Sequence, residues 1–283
     1  MVGHHHTRKK HSTLSTVCHP RIRGNECLPP TALKELGTTL GAPSSLTGKP
    51  LRHWISRRTR CRTERCWLEK SQMDANKKKG LLKKYFRPTK PTSWNEDPDE
   101  WLDSTNIADV LRQYEEVYPE FKFFGTNPID FAAPDPYMEG AAEKGKCVED
   151  AMCKLNIQAL QAQGKTKLGV VYNLDPSNKG GSHWIASFTD IPAHRTYYFD
   201  SYGIKPPPQI ARFMRSLTLQ DPTMKLGYNS RRFQFGNTEC GMYSIYFIIC
   251  MLEGENFRKF CRRAPRDSVM LDLRNVFFNA PNA

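Results

Sequence analysis

The sequence predicts an α+β fold: a central mixed sheet flanked by helices, preceded by a small, basic, helical N-terminal domain. Three observations carry this reading. Short β-prone segments cluster in the middle of the 283-residue chain, helical periodicities flank them on both sides, and positive charge collects in the first third. Residues 1–95 hold 21 Lys and Arg against 5 Asp and Glu, a net of +16; residues 96–283 hold 21 against 24, a net of −3. A hydrophobic fraction of 39% suits a packed globular protein and excludes a disordered one.

Residues 1–25 read as a basic flexible arm. Its start, Met1-Val2-Gly3-His4-His5-His6, lacks the apolar stretch of a secretory signal, and the histidines read as a solvated tail. Residues 26–95 read as a basic helical domain and linker. Leu33, Leu36 and Leu40 share one helical face, and Leu51, Trp54 and Ile55 another, across the turn-rich Gly41–Pro50. A helix, a Thr47-Gly48-Lys49 loop and an arginine-rich helix resemble a SAP-like DNA-binding module; a small docking domain is the alternative. Cys18, His19, Cys27, Cys61 and Cys66 lack the paired spacing of a structural zinc site, so small buried thiols and no metal are expected. Residues 69–95, rich in lysine and proline, read as a linker or arm.

Residues 96–283 read as the main domain. Ile107, Val110, Leu111, Tyr114, Val117 and Tyr118 mark an amphipathic helix capped by Asp103 or Ser104. Strands are expected over 168–174, 182–188 and 196–200, where β-branched and aromatic residues concentrate. Helices follow through Ile210 to Leu217, through Glu239 to Leu252, and around Val269 to Phe278. The longest apolar run, Ile245 to Leu252, is too short to span a membrane. Nine widely spread cysteines form no dense disulfide framework, which suits a reducing, intracellular setting.

The residues that carry chemistry are His183, Asp200, Gln234 and Cys240. A cysteine is nucleophilic as thiolate, and Cys240 opens a helix, where the dipole favours negative charge. His183 can supply the partnering imidazolium, and a β-hairpin would bring Asp200 beside it to orient the ring. Gln234 can donate its amide to an oxyanion, with the Cys240 backbone N–H as second donor; Asn237 is the competing amide. Gly241 is expected to leave room for a substrate backbone.

His183-Trp184, an aromatic strand ending Asp200-Ser201, then Gln234, five residues and Cys240-Gly241 resemble the adenain/Ulp (SUMO-protease-like) clan of cysteine proteases. Asn237-Thr238-Glu239-Cys240-Gly241-Met242-Tyr243 and the basic N-terminal region most resemble the African swine fever virus-type polyprotein protease of large DNA viruses. The resemblance implies a papain-like core over roughly 100–275, a His183–Asp200–Cys240 triad and Gln234 as oxyanion donor. It implies that Trp184 narrows the cleft to Gly-Gly before the scissile bond and that Trp101-Leu102 contacts substrate. It differs at Asp200, where that enzyme is expected to carry an amide, and at Asn237, where it carries a glutamine.

The expected function is a viral maturation endopeptidase that cuts structural polyproteins after Gly-Gly in the virus factory of the host cytoplasm and in the virion. It is expected to act as a monomer without cofactor, its basic region meeting DNA or acidic protein. A SUMO- or ubiquitin-like deconjugating protease is the alternative. A nucleic-acid-binding structural protein with an inactive protease fold is the third reading.

Overall fold

The computed structural model describes residues 17–134 and 146–279. The histidine triplet and most of the basic arm lie outside them. The chain divides into two compact units, Asp99–Leu271 and a second made of Met1–Pro98 with Asp272–Ala283.

The N-terminal unit is helical. Helix α1 (Pro30–Thr39) starts on a proline whose missing N–H costs nothing there, and α2 (Gly48–Thr59) ends on left-handed Arg60. Gly37 lets them close: a Cβ there would lie 2.8 Å from Leu51 Cδ1. Helix α3 (Glu64–Lys70) is capped by Thr63 and α4 (Ala75–Tyr85) by Asp74. Leu28, Leu33, Leu36, Leu51, Ile55, Trp67, Leu68 and Phe86 form its core. Buried Glu64 accepts from the Cys27 and Leu28 N–H groups at 2.6 and 2.8 Å and pairs with Arg52, so the charge is compensated on both sides.

Three expectations fail in this region. Cys18–Cys27 and Cys61–Cys66 are disulfides, not buried thiols, with Cα separations of 5.1 and 5.7 Å that suit a bridge. Residues 69–95 are not a bare linker, because they hold α4. That helix buries none of its residues fully, and only Leu81, Leu82 and Tyr85 pack against the core, which is why its pattern looked solvated. The C-terminal residues group with this unit, whereas the sequence placed them in the main domain. Asn279 donates to the Pro88 carbonyl and accepts from the Lys90 N–H, both at 2.8 Å, and Phe278 meets Trp94 edge-on at 5.0 Å.

The second unit is built on a five-stranded mixed sheet in sequential order. Its strands are β1 (Phe121–Pro128), β2 (Lys167–Asn173), β3 (Trp184–Asp190), β4 (Arg195–Phe199) and β5 (Lys225–Tyr228). The inner pairs β2–β3 and β3–β4 are antiparallel, and the outer pairs are parallel. Helix α5 (Ser104–Val117) begins with an Asp103–Asn106 capping box. The short helices α6 (Asp150–Cys153) and α7 (Ile157–Ala162) follow β1, and a third disulfide joins Cys147 to Cys153.

Period-two alternation divides the β2 side chains between two layers. Leu168, Val170 and Tyr172 join Ile210, Phe213, Met214 and Leu217 of α8 (Pro208–Gln220) in one cluster. On the other side α9 (Cys240–Leu252) packs, and every one of its residues is buried. Gly169 permits that approach, since a Cβ would lie 3.3 Å from Ile248 Cγ2 and 2.8 Å from the Phe121 ring. Helix α10 (Phe257–Arg263) adds Phe257 and Phe260 to an aromatic cluster with Phe199, Phe233 and Phe247. The last helix, α11, runs from Asp267 to Phe277.

Candidate active site

The hairpin β3–β4 sets the site. His183 immediately precedes β3 and Asp200 immediately follows β4, so the antiparallel pairing brings them together. His183 Nε2 lies 2.8 Å from Asp200 Oδ1. The carboxylate is itself fixed. Tyr202 N–H donates to Oδ1 at 2.8 Å, Asp200 N–H donates to Asn229 Oδ1 at 2.9 Å, and Asn229 Nδ2 donates back to the Asp200 carbonyl at 2.6 Å. Gly203 turns the chain directly afterwards with φ +76°, and a Cβ there would meet the Arg231 carbonyl carbon at 2.8 Å.

Cys240 opens α9, buried under the site and close enough to His183 to raise the ring's pKa. Because Nε2 faces Asp200, Nδ1 is the nitrogen left for Cys240. Burial by itself would lower the His183 pKa. The hydrogen bonds to Asp200 and Cys240, and the negative charge of both, outweigh it and raise the value to about 9. The arrangement can hold an imidazolium beside a nucleophilic sulfur at neutral pH.

Two other free cysteines, Cys250 and Cys261, differ in kind. Burial pushes the Cys250 thiol well above its ordinary value and that of Cys261 to about 11, so neither is a competing nucleophile.

Gln234 is fully buried, and its side-chain oxygen accepts from Ser201 Oγ at 2.7 Å while its backbone N–H donates to the Ser201 carbonyl at 2.9 Å. That fixes which way the amide faces. Its Nε2 is buried without a hydrogen-bond partner among the described residues. A buried donor left unmade costs about 1–3 kcal/mol, so this desolvated N–H is one that an incoming acceptor could satisfy. Asn237, the competing amide, is exposed.

Trp184 is 9% exposed, with its indole N–H donating to the Leu102 carbonyl at 2.8 Å. Trp101 stands at the surface, 42% exposed. Gly241 departs from its expected use. The space where a Cβ would sit is taken by Leu102 Cβ at 3.0 Å and Trp184 Cδ1 at 3.3 Å, not left for a substrate backbone. Its missing side chain lets α9 close on the indole, which is then pinned between Leu102 and the helix.

Sequence reasoning missed Ser201, Tyr202, Asn229 and Asp267. Tyr202 stacks on the His183 ring with centroids 4.7 Å apart and planes at 18°, and its hydroxyl donates to the Gly236 carbonyl at 3.2 Å. The signal was available, because continuing the β3–β4 register places residue 202 opposite residue 183. Asp267 Oδ2 accepts from the N–H groups of Phe235 and Gly236 at 3.0 and 2.8 Å, and Oδ1 from Tyr243 at 2.8 Å. It anchors the Gln234 loop from a distant stretch of chain, which no local pattern announces.

No family model matches the chain. Among curated proteins it is 33% identical over 194 residues to a protein of Acanthamoeba polyphaga mimivirus named as a thiol protease, covering 65% of this chain and 58% of that protein. It is 28% identical over 149 residues to the SUMO-1 cysteine protease of a Kenyan African swine fever virus isolate, covering 50% and 48%. The chain thus spans about half the length of these relatives. Among solved structures, the African swine fever virus protease superposes with a TM-score of 0.69 over 95% of this chain and 97% of that one, at 20% identity. The chain thus shares its fold with the African swine fever virus protease, and its sequence is similar to viral proteins named as thiol and cysteine proteases.

Proposed function

We propose that the chain is a cysteine endopeptidase that cuts viral structural polyproteins after Gly-Gly. Cys240 attacks the scissile carbonyl as thiolate, and His183, held by Asp200, gives its proton to the leaving amine. Water then hydrolyses the thioester, with His183 taking a proton from it, and Cys240 is released. Gln234 Nε2 and the Cys240 backbone N–H stabilise the oxyanion in both steps. The observation that carries this reading is the amide of Gln234, fixed through its oxygen and with Nε2 unpaired among the described residues, near the His183–Asp200 pair.

Gly-Gly selectivity is supported by the immobilised indole of Trp184. A flat ring held over a groove excludes any Cβ and admits glycine. Cleavage of Gly-Gly-X peptides between the second glycine and X tests it; equal cleavage of an Ala-Ala-X series would remove the selectivity.

A deconjugating protease acting on SUMO-like tails is the second reading, favoured by the name of the swine fever relative and by the exposed Trp101. A folded SUMO-like precursor and a polyprotein-derived Gly-Gly peptide, offered in parallel, separate the two. The binding-only reading, an inactive protease fold, has the oriented His183, Cys240 and Gln234 against it. The basic N-terminal unit is assigned to docking on DNA or acidic protein, and the site of action to virus factory and virion.

A further inference from the structure

Beside the loop that carries Gln234 lies a cavity of about 480 Å³ whose walls include Arg231, Arg232, Phe235, Arg266 and Asp267. It is joined to the catalytic groups through short contacts. Arg232 Nε donates to the Gln234 carbonyl at 2.6 Å, and its guanidinium lies 5.1 Å from the ring centres of both Tyr202 and Phe235. Tyr202 in turn stacks on His183. A cation–aromatic ladder therefore runs from the cavity to the imidazole.

The charge in this cavity is unbalanced. Both oxygens of Asp267 are engaged by Tyr243, Phe235 and Gly236. Among the described residues, none of Arg231, Arg232 and Arg266 forms an ion pair with a carboxylate. Arg231 uses one nitrogen on the Arg262 carbonyl at 2.6 Å. Phe235 beside them is 74% exposed, an unusual position for a large aromatic in a well-packed unit.

We propose that this cavity is a substrate subsite for an acidic side chain of the polypeptide being cut, close in sequence to its Gly-Gly. The proposal rests on the protease reading above. A carboxylate can take a guanidinium in bidentate fashion while the neighbouring backbone lies on the Phe235 ring. The occupant is a peptide carboxylate, because the three arginines stand beside the loop that carries Gln234, where the polypeptide being cut would lie.

The test compares Gly-Gly peptides carrying Glu, Gln or Lys at each of the three positions on either side of the glycine pair. With the whole chain at low salt, Glu at one position should raise kcat/KM over Gln about tenfold, and Lys should lower it. The Glu-to-Gln ratio should collapse toward one in the Arg231→Ala/Arg266→Ala protein, and Arg266→Glu should prefer Lys. Equal rates for Glu and Gln at every position, or a preference that survives the double substitution, would overturn the subsite.

Fluorescence anisotropy of the same peptides on the Cys240→Ala protein keeps the two readings apart. Arginine-dependent binding of the Glu peptide without turnover by the unsubstituted chain would retain the subsite and reject the protease. Arginine-dependent binding of a short single-stranded oligonucleotide, with no preference among peptides, would overturn the assignment.

Discussion

The two units lean on disulfides to different degrees, and the contrast bears on where a free thiol can be placed for chemistry. The N-terminal unit is small and strongly basic, closed by two disulfides around a modest helical core. Small domains bury proportionally less surface and lean on such cross-links. The larger unit is held by a sheet between helical layers and by stacked rings around Phe199 and Phe247; one disulfide ties Cys147 to Cys153, and Cys240, Cys250 and Cys261 stay reduced. Four cysteines of the N-terminal unit are paired; the other unit pairs only Cys147 with Cys153, and one of its three free cysteines sits beside an imidazole. Charge divides likewise, +16 in residues 1–95 against −3 in the rest.

The sharpest way to break this contrast is at the oxyanion donor. Gln234→Ala should lower kcat about 10²- to 10³-fold with little change in KM. Asn237→Ala should change it less than about twofold, because an exposed amide has no desolvated donor to lose. Comparable losses in the two would return the donor assignment to the ambiguity of the sequence.

Opening the Cys61–Cys66 bridge, in a Cys61→Ser/Cys66→Ser protein, should cost the N-terminal unit about 2 kcal/mol, the value for so short a loop. Hydrogen exchange should then quicken over α1–α4 and stay unchanged in β2, β3 and β4. Faster exchange in those strands would show that the units do not divide their stability in this way.

A third effect is read in pH. His183 is held at about 9 by its partners, so the imidazolium, and the stability it brings, is fully present below about 6.5 and lost as pH rises through 9. The alkaline limb of kcat/KM should therefore lie near 9. Asp200→Asn removes one raising partner and should bring that limb down by about one pH unit, with roughly a tenfold loss of rate above it. An unmoved limb would assign the titration to another group.

The smallest effect expected is on salt. Binding of the full chain to a DNA duplex should weaken steeply between about 50 and 200 mM salt. Charge-reversing Lys77, Lys78 and Lys79 should flatten that dependence, whereas reversing Arg266 should leave it alone. A salt slope that follows Arg266 would move the nucleic-acid contact to the catalytic unit.

The placing of the candidate site residues and of the inner strands was legible because each rests on local sequence. β-Branched alternation marks β2, a run of aromatics marks β4, and Cys240 heads an apolar stretch. The hairpin then makes the His183–Asp200 pairing nearly a matter of counting. Other parts had no such marker. β1 is broken by a bulge between Phe123 and Thr126, with Gly125 at φ +86°, and β5 spans only Lys225–Tyr228 at an exposed edge. The disulfides join residues spaced five to nine apart, a distance at which sequence does not separate a bridge from two thiols. Gly241 was misread for a related reason, since only packing reveals that Leu102 and Trp184 fill its empty side.

The central claim is that Cys240 is the one cysteine set up as a nucleophile, in a site that accepts Gly-Gly. Treating the full chain at neutral pH with a peptide electrophile ending in Gly-Gly, followed by mass spectrometry of the cysteine-containing peptides, tests it directly. A single adduct on Cys240, absent after His183→Ala and leaving Cys250 and Cys261 untouched, is the expected result. Equal labelling of Cys261, or labelling of Cys240 that survives His183→Ala, would contradict the account.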